Sequence, residues 1–396
     1  MLESIHVGMT GLLAYSRGLR VIANNTANMN TPGFKSSSVQ FADMFYTGGN
    51  LSGGVTSQGS TQLGFGLDTI GTTMSFKQGE LRQTGNDLDM AIDGQGLFVL
   101  RTADGSTSYT RAGQFRFDAD GVLVNRSDGA SVMGQDAKGR LVEISVAGLM
   151  TTGGKATTNV KFSGNLSSTA TEQTVSNVNV LDAMSGSHTL TLKFTNTDSE
   201  EPGSWTVEVM DGTTVVGGGT VVFADGKPVA GASTLRVTYN PPGQPAMAMS
   251  LDFGSDVTSY ASGNLSTLAM TFQDGVGPGT LSSVGFDANG VLNIVYSNGE
   301  TRQGARIALA RFDSQDAVAA LGNNQFRMLD ERAWHFGAAG EGAFGQLRTG
   351  TVEISNVDLS QEFSDLVVMQ RGYQASSQVI STANDMLQEL FSMKSK

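Results

Sequence analysis

Both ends of the chain carry mainly apolar residues at alternating spacings of three and four, and this pattern constrains the fold most. At the N-terminus the positions are Ile5, Met9, Leu12, Ser16, Leu19 and Ala23. At the C-terminus they are Leu359, Phe363, Leu366, Gln370, Tyr373, Ser377, Ile380, Asn384, Leu387 and Phe391. This spacing is typical of the seam between helices in a coiled coil. One such helix is explained by packing on its own domain, but a pair, one at each terminus, favours an assembly element.

The N-terminal helix is weak on its own. Gly8, Gly11 and Gly18 lie inside it, and each costs about 1 kcal/mol relative to alanine in a helix interior. We therefore expect the ends of a lone chain to fray and to become ordered when neighbouring copies pack on them, with the glycines allowing close approach. The residues expected at this interface are Ile5, Met9, Leu12, Leu19, Ile22, Leu359, Phe363, Leu366, Tyr373, Ile380, Leu387 and Phe391.

The middle of the chain is rich in turns and contains a loose repeat. Residues 117–123 read Phe-Asp-Ala-Asp-Gly-Val-Leu, and residues 286–292 read Phe-Asp-Ala-Asn-Gly-Val-Leu. Each copy combines a hairpin-type turn with the start of an apolar strand. The simplest interpretation is one β-domain built from both halves of the chain, with the intervening residues inserted into it.

These patterns predict a mixed, mainly β fold with nested β-domains and with N- and C-terminal α-helices that pair as a coiled coil. Residues 1–30 and 358–396 would form the helices, and residues 31–72 an extended linker. Residues 73–148 and 281–357 would form a discontinuous β core, with residues 149–280 as an inserted outer β-domain. Between residues 151 and 280 there are 11 acidic and 5 basic side chains, which suits a well-hydrated outer surface.

Composition and side-chain spacing argue against several classes of function. A formal charge of -12 over 396 residues leaves no basic surface for nucleic acid. No cysteine is present, so disulfides and thiolate metal sites are excluded. The sequence has no apolar run long enough for membrane insertion, and the N-terminus lacks the pattern of a cleaved signal peptide. His6, His188 and His335 are far apart in sequence, so we expect no enzyme activity, no metal and no cofactor.

Three regions of the sequence carry a family resemblance. Residues 24–35, Asn-Asn-Thr-Ala-Asn-Met-Asn-Thr-Pro-Gly-Phe-Lys, closely resemble the signature shared by flagellar rod and hook proteins. Residues 84–98 and 109–115 resemble that family's second block, and residues 356–363 and 370–375 its C-terminal helix. The resemblance covers about residues 1–145 and 285–396. The residues of the first signature are Asn25, Ala27, Asn28, Asn30, Thr31, Pro32, Gly33 and Phe34.

The resemblance implies a structural protein that assembles into a homopolymer of many copies. It implies export through the flagellar type III apparatus without a cleaved signal peptide, and a location outside the cell. The insert of about 130 residues favours a subunit of the flexible, curved hook, which transmits torque and encloses the export channel. The implied partners are the distal rod protein, the hook cap and the hook–filament junction proteins. A distal rod protein and a secreted β-rich adhesin are the alternatives.

Overall fold

The computed structural model describes residues 2–44, 46–48, 62–197, 199 and 202–394. It has one α-helix at each end and is otherwise mainly β, which confirms the predicted fold class at that level. The chain divides into two compact units. Unit 1 comprises residues 1–147, 285–293 and 303–396, and unit 2 comprises residues 148–284 and 294–302.

The two helices are α1 (Leu2–Ala27) and α2 (Leu359–Lys394). Asp358 caps α2 through its Oδ1, which accepts hydrogen bonds from the backbone N–H groups of Ser360 (2.8 Å) and Gln361 (3.3 Å). Such a cap satisfies amides that have no partner inside the helix. Neither helix, over its described residues, is long and apolar enough to cross a membrane.

The strands of unit 1 come from both ends of the sequence, and those of unit 2 come from the middle. The first group is β1 (Ser37–Asp43), β2 (Tyr46–Gly48), β3 (Gln62–Gly64), β4 (Leu67–Met74), β5 (Leu81–Gln83), β6 (Met90–Asp93), β7 (Leu97–Arg101), β8 (Thr107–Thr110), β9 (Phe115–Phe117), β10 (Leu123–Asn125), β11 (Ser131–Gln135) and β12 (Leu141–Glu143). The next group, which contains the strands of unit 2, is β13 (Thr151–Thr152), β14 (Asn159–Asn165), β15 (Glu172–Leu181), β16 (Ser187–Asn196), β17 (Ser204–Asp211), β18 (Thr214–Ala224), β19 (Lys227–Pro228), β20 (Thr234–Tyr239), β21 (Met247–Asp252), β22 (Val257–Thr258), β23 (Ala269–Gln273), β24 (Gly279–Phe286), β25 (Val291–Tyr296) and β26 (Thr301–Phe312). The last group is β27 (Val318–Gly322), β28 (Gln325–Met328), β29 (Trp334–Ala338), β30 (Gln346–Thr349) and β31 (Thr351–Glu353).

The main sheet of unit 1 interleaves strands from the two halves of the chain. β26 pairs antiparallel with β7, β11 and β29, and β8 pairs with both β7 and β28. Two short pairs, β6 with β30 and β5 with β31, repeat this arrangement. The unit therefore depends on both halves of the chain, because these pairs join strands that lie far apart in sequence. The core includes Leu97, Val99, Tyr109 and Trp334.

Residues 31–72, predicted to be an extended linker, contain a strand that is hydrogen-bonded to its neighbour. β1 pairs antiparallel with β4 from Ser37 opposite Met74 to Asp43 opposite Leu67. The backbone N–H of Leu67 also donates to Thr10 Oγ1 at 3.2 Å, so this hairpin is attached to α1. Residues 45 and 49–61 of the predicted linker lie outside the described residues.

Unit 2 has two five-stranded sheets around one apolar core. One sheet has the order β20-β21-β14-β22 with β23 also on β14, and the other has the order β15-β16-β17-β18-β19. Close approach of β18 to β20 requires glycine. A methyl group on Gly217 would lie 2.5 Å from Val237 Cγ1, and one on Gly219 would lie 2.1 Å from Leu235 Cδ1. Trp205 and Phe253 are among the largest buried side chains here.

Candidate assembly surface and helix junction

The two helices of one chain pack together through a face of small residues. On α1 the buried residues are Gly8, Gly11, Ala14, Gly18, Ile22 and Asn25. A methyl group on Gly8 would lie 2.7 Å from Ile380 Cγ1, and one on Gly18 would lie 2.9 Å from Met369 Sδ. The glycines expected to allow contact between copies therefore face α2 of the same chain.

The predicted interface residues lie mostly beside this buried face. Ile22 is buried; Ile5, Leu12, Leu19, Leu359, Leu366, Ile380 and Leu387 are half-buried; Met9, Phe363, Tyr373 and Phe391 are exposed. The structure thus brings Ile380 and Ile22 into the helix pair and leaves a row of large apolar side chains accessible. The contact of these residues with a second copy stays a prediction.

A second apolar surface on α2 was not predicted from the sequence. It consists of Val368, Val379, Met386, Leu390 and Met393, which are between 45% and 79% exposed. At about 100° per residue, the separations of 7 and 11 residues return to the same side of the helix. We call this set the outer apolar stripe. The heptad count that starts at Leu359 follows another side of the helix, whereas intervals of 7 and 11 residues counted from Val368 would have revealed the stripe.

Asn25 connects the helix pair to the first strand. Its Nδ2 donates to the carbonyl of Ser37 (2.7 Å) and to Glu362 Oε1 (2.9 Å), and the N–H of Ser37 donates to Asn25 Oδ1 (3.0 Å). Asn25 is only 1% exposed. One buried amide therefore holds α1, α2 and β1 together, which explains the asparagine in the first signature block.

The rest of the first signature block forms the turn after α1. Thr31 Oγ1 donates to Asn28 Oδ1 at 3.1 Å, and Asn324 Nδ2 donates to the carbonyl of Pro32 at 2.9 Å. Gly33 has a φ of 71°, and a methyl group there would lie 2.4 Å from the backbone nitrogen of Ala112. Among the other signature residues, Phe34 is half-buried, and Ala27 and Asn30 are exposed.

A fully buried carboxylate, Glu353, lies where the two helices join the β core. Its Oε1 accepts from Lys35 Nζ at 2.6 Å and from the N–H of Gly79 at 2.9 Å, and its Oε2 accepts from Arg111 Nε at 2.5 Å. Its backbone carbonyl accepts from the N–H of Gly33 at 2.8 Å. We call Lys35, Arg111 and Glu353 the junction cluster. Buried charges persist when paired and hydrogen-bonded in this way.

Arg111 also fixes the loop between β6 and β7. Its guanidinium donates to the carbonyls of Ile92 (2.8 Å), Gly94 (2.6 Å) and Gly96. Gly94 and Gly96 have φ values of 117° and 138°, which lie in a region that favours glycine. The glycines of the second sequence block are thus explained, because the backbone at these positions directs its carbonyl groups toward Arg111.

Arg111, Glu353 and Glu362 were not predicted from the sequence as functional residues. The available signal was a charged residue within an otherwise buried segment, as in β31, where all three residues are buried. Burial raises the pKa of Glu362, the hydrogen bond from Asn25 lowers it, and the nearby carboxylates of Asp365 and Asp358 raise it further, with a net upward shift.

None of the three histidines is hydrogen-bonded to a residue of the junction cluster. His6 is exposed, and His335 Nε2 is 2.8 Å from Asp313 Oδ2. In unit 2, His188 Nε2 is 2.8 Å from Asp182 Oδ2. Across the ranges that the structure describes, no group of three or more His, Cys, Asp or Glu side chains is arranged to hold a metal ion.

Three family descriptions match parts of the chain. "Flagella basal body rod protein" matches residues 5–35, "Flagellar hook protein FlgE/F/G D1 domain" matches residues 91–174, and "Flagellar basal body rod FlgEFG protein C-terminal" matches residues 348–393. The first range contains most of α1, the turn at Gly33 and Lys35, the second contains Arg111, and the third contains Glu353 and nearly all of α2. The matched segments therefore include most of the helix pair and all three members of the junction cluster.

Full-length relatives extend this similarity. The chain is 31% identical to the flagellar hook protein FlgE of Escherichia coli (strain K12), with 98% of both chains covered. It is 29% identical to FlgE of Borreliella burgdorferi and 27% identical to the basal-body rod protein FlgG of Bacillus subtilis, with full coverage in both cases. The solved structure of the Helicobacter pylori hook protein FlgE2 shares the fold over 69% of this chain and 100% of its own, with a TM-score of 0.50 and 14% identity. The chain belongs to the flagellar hook protein family.

Proposed function

We propose that this chain is the structural subunit of a flagellar hook and polymerises into a flexible, curved tube. The tube acts as a universal joint that transmits torque from rod to filament, and its lumen provides the export channel. The relatives that match over nearly the whole chain, including the inserted residues, support this function. Those relatives are structural proteins, which agrees with the expectation of a non-enzymatic role.

The observation that carries the proposal is the outer apolar stripe on α2. Large apolar side chains exposed on one side of a helix mark a surface that is covered in the functional state. A helical polymer supplies that cover from neighbouring copies of the same helix. The predicted seam residues Met9, Phe363 and Phe391, which are also exposed, would add a second contact in a coiled-coil-like arrangement.

The junction cluster gives the subunit a stiff connection between its helices and its β core. Lys35 follows α1, Glu353 precedes α2 and Arg111 belongs to the sheet region, so a twist of the helix pair must act on all three. Breaking such a buried pair is costly. We infer that bending of the tube occurs in contacts between copies rather than at this junction.

The family membership also suggests where the subunit acts and with what. We propose an exported protein outside the cell, in contact with the distal rod protein, the hook cap and the hook–filament junction proteins. Residues 149–280 would form the exterior of the tube, where their acidic, turn-rich surface makes modest contacts that slide as the tube bends. Equal spacings between neighbouring outer domains on both sides of a bent tube would rule out this sliding.

Polymerisation of purified full-length chains tests the proposal directly. Val379→Glu and Met386→Glu place charges in the outer apolar stripe and should abolish tubes seen by electron microscopy. Gln378→Glu adds the same charge at a neighbouring exposed position and serves as the matched control. Tubes of normal yield from the stripe variants would refute the role of this surface. Failure of the wild-type chain to form tubes under any condition would count against the function itself.

A straight distal rod is the second candidate function. The rod protein from Bacillus subtilis supports it, since it matches the whole chain at 27% identity. A hook subunit and a rod subunit differ in the curvature of the assembled tube. Straight, rigid tubes from the wild-type chain would favour the rod, and curved tubes would favour the hook.

A further inference from the structure

Unit 1 contains a cavity of about 340 Å³ next to the junction cluster. Three large apolar side chains, Phe76, Leu97 and Phe312, line it together with three basic ones, Lys35, Arg111 and Arg311. Among the described residues that line it, none carries a carboxylate. Gln95 lines the cavity and is itself exposed. The cavity is therefore both apolar and basic.

The charges beneath the cavity do not balance. Lys35 and Arg111 are each 4% exposed, and Glu353 is 1% exposed, so two buried cations share one buried carboxylate. Burial lowers the pKa of Lys35 despite the opposing effect of Glu353. A buried positive charge without a full counter-charge is unfavourable, and an additional anion close by would relieve it.

Hydrogen-bond donors remain at the same place. The ammonium of Lys35 has three N–H groups, and its bonds to Glu353 and to the carbonyl of Lys77 use two. The guanidinium of Arg111 has five, and its bonds to Glu353 and to three carbonyls use four. The third basic side chain, Arg311, is 27% exposed and pairs with Asp313 at 3.1 Å.

We propose that this cavity binds an acidic side chain, with the apolar residue beside it, from a second copy of this chain. The carboxylate would approach Lys35 and Arg111, and the apolar neighbour would cover Phe76 and Phe312. A second copy is the occupant because the chain is strongly acidic, with 37 Asp and Glu against 25 Lys and Arg. This proposal rests on the proposed polymer and gives one contact of unit 1 within it.

Two measurements on the full-length chain test the proposal. The first is calorimetric titration of the monomer with 3-phenylpropionate, with 3-phenylpropanamide as the neutral control. Amide shifts of Gly94 and Gly96 in nuclear magnetic resonance spectra report where the probe binds. The second is the critical concentration for polymerisation of Gln95→Trp, which places a much larger side chain at the lining of the cavity. Gln315→Trp, at another exposed glutamine of unit 1, is the matched control, and thermal unfolding shows whether both variants fold.

The carboxylate should shift Gly94 and Gly96 and bind at least tenfold more tightly than the amide, and Gln95→Trp should abolish this binding. The same variant should raise the critical concentration at least tenfold, with Gln315→Trp like the wild type. Equal binding of carboxylate and amide, or no binding, would overturn the site. If the carboxylate binds but Gln95→Trp polymerises like the wild type, the cavity takes a free carboxylate. A second copy would then be rejected as the occupant. If the wild-type chain forms no tubes, the proposed contact with a second copy fails together with the proposed function. The titration still decides whether the cavity binds carboxylates.

Discussion

Replacing Glu353 by glutamine should destabilise unit 1 strongly, although the two side chains have almost the same shape. The carboxylate holds Lys35 Nζ on one oxygen at 2.6 Å and Arg111 Nε on the other at 2.5 Å. A glutamine amide has one oxygen and one NH₂ group. One of the two cations would therefore face a donor at hydrogen-bond distance, and two buried positive charges would lose their only shared counter-ion.

The expected cost follows from this geometry. Removing one partner of a buried ion pair costs about 3–5 kcal/mol, because an uncompensated charge stays in the interior. Glutamine has almost the same volume as glutamate, so the substitution creates no cavity that would add to this cost. We expect Glu353→Gln to lower the free energy of unfolding of unit 1 by about 3–5 kcal/mol.

Urea unfolding of the full-length chain at neutral pH, followed by the fluorescence of Trp334 in unit 1, measures this loss. Trp205 in unit 2 should be replaced by phenylalanine in every protein compared, so that one tryptophan reports. Glu341→Gln is the matched control, because Glu341 is 61% exposed and lies 3.6 Å from Arg306; about 0.5 kcal/mol or less is expected there. A loss below about 1 kcal/mol for Glu353→Gln, similar to the control, would refute the role of the junction cluster.

Three further predictions concern backbone strain and pH. Gly33→Ala should cost about 3 kcal/mol or more by urea unfolding, because φ is positive and the methyl group would lie 2.4 Å from Ala112; a loss under 1 kcal/mol would contradict the turn. Because the pKa of Glu362 is raised in the folded state, its contribution to the free energy of unfolding is present below the unfolded pKa of about 4.5,. That contribution is lost as the pH rises through the folded pKa,. Glu362→Gln keeps an acceptor for Asn25 and should be more stable than the wild type at pH 7. In unfolding experiments at a series of pH values, this difference in stability should disappear below pH 4.5. Equal stability at pH 7 would contradict this. Burial opposes ionisation of Asp274, but hydrogen bonds from Thr158 and Asn159 outweigh it and lower its pKa to about 2. The ionised carboxylate therefore contributes about 2 kcal/mol to the free energy of unfolding. This contribution is present above pH 3.8 and is lost as the pH falls toward 2. Asp274→Asn should lower the stability of unit 2 at pH 7 by that amount and remove this acid dependence, and unchanged acid unfolding would contradict it.

The helices were predictable from the sequence, but the face that joins them was not. Heptad counting follows large apolar side chains such as Met9 and Phe363. The contact between α1 and α2 instead uses Gly8 and Gly18, which let the helix backbones approach because they lack side chains. Such a contact leaves no peak in hydrophobicity. This is why the predicted row and the buried face differ by about one position.

The junction was outside the reach of sequence patterns for a different reason. Glu353 lies 318 residues from Lys35 and 242 residues from Arg111, and Asn25 lies 337 residues from Glu362. Periodicity and turn propensity act over a few residues, whereas these pairs depend on how the whole chain folds. The loose repeat at residues 117 and 286 could be recognised from the sequence because each turn depends on a few neighbouring residues.

Immunogold electron microscopy of detached flagella tests the central claim most directly, with antibody raised against residues 151–280. If the chain is a hook subunit, gold should label a short curved segment between the basal body and the filament, and nothing else. Gold on the straight rod would replace the hook by the rod. An absence of gold from every flagellar part, with the antigen present in the cells and the antibody able to bind native protein, would contradict the account.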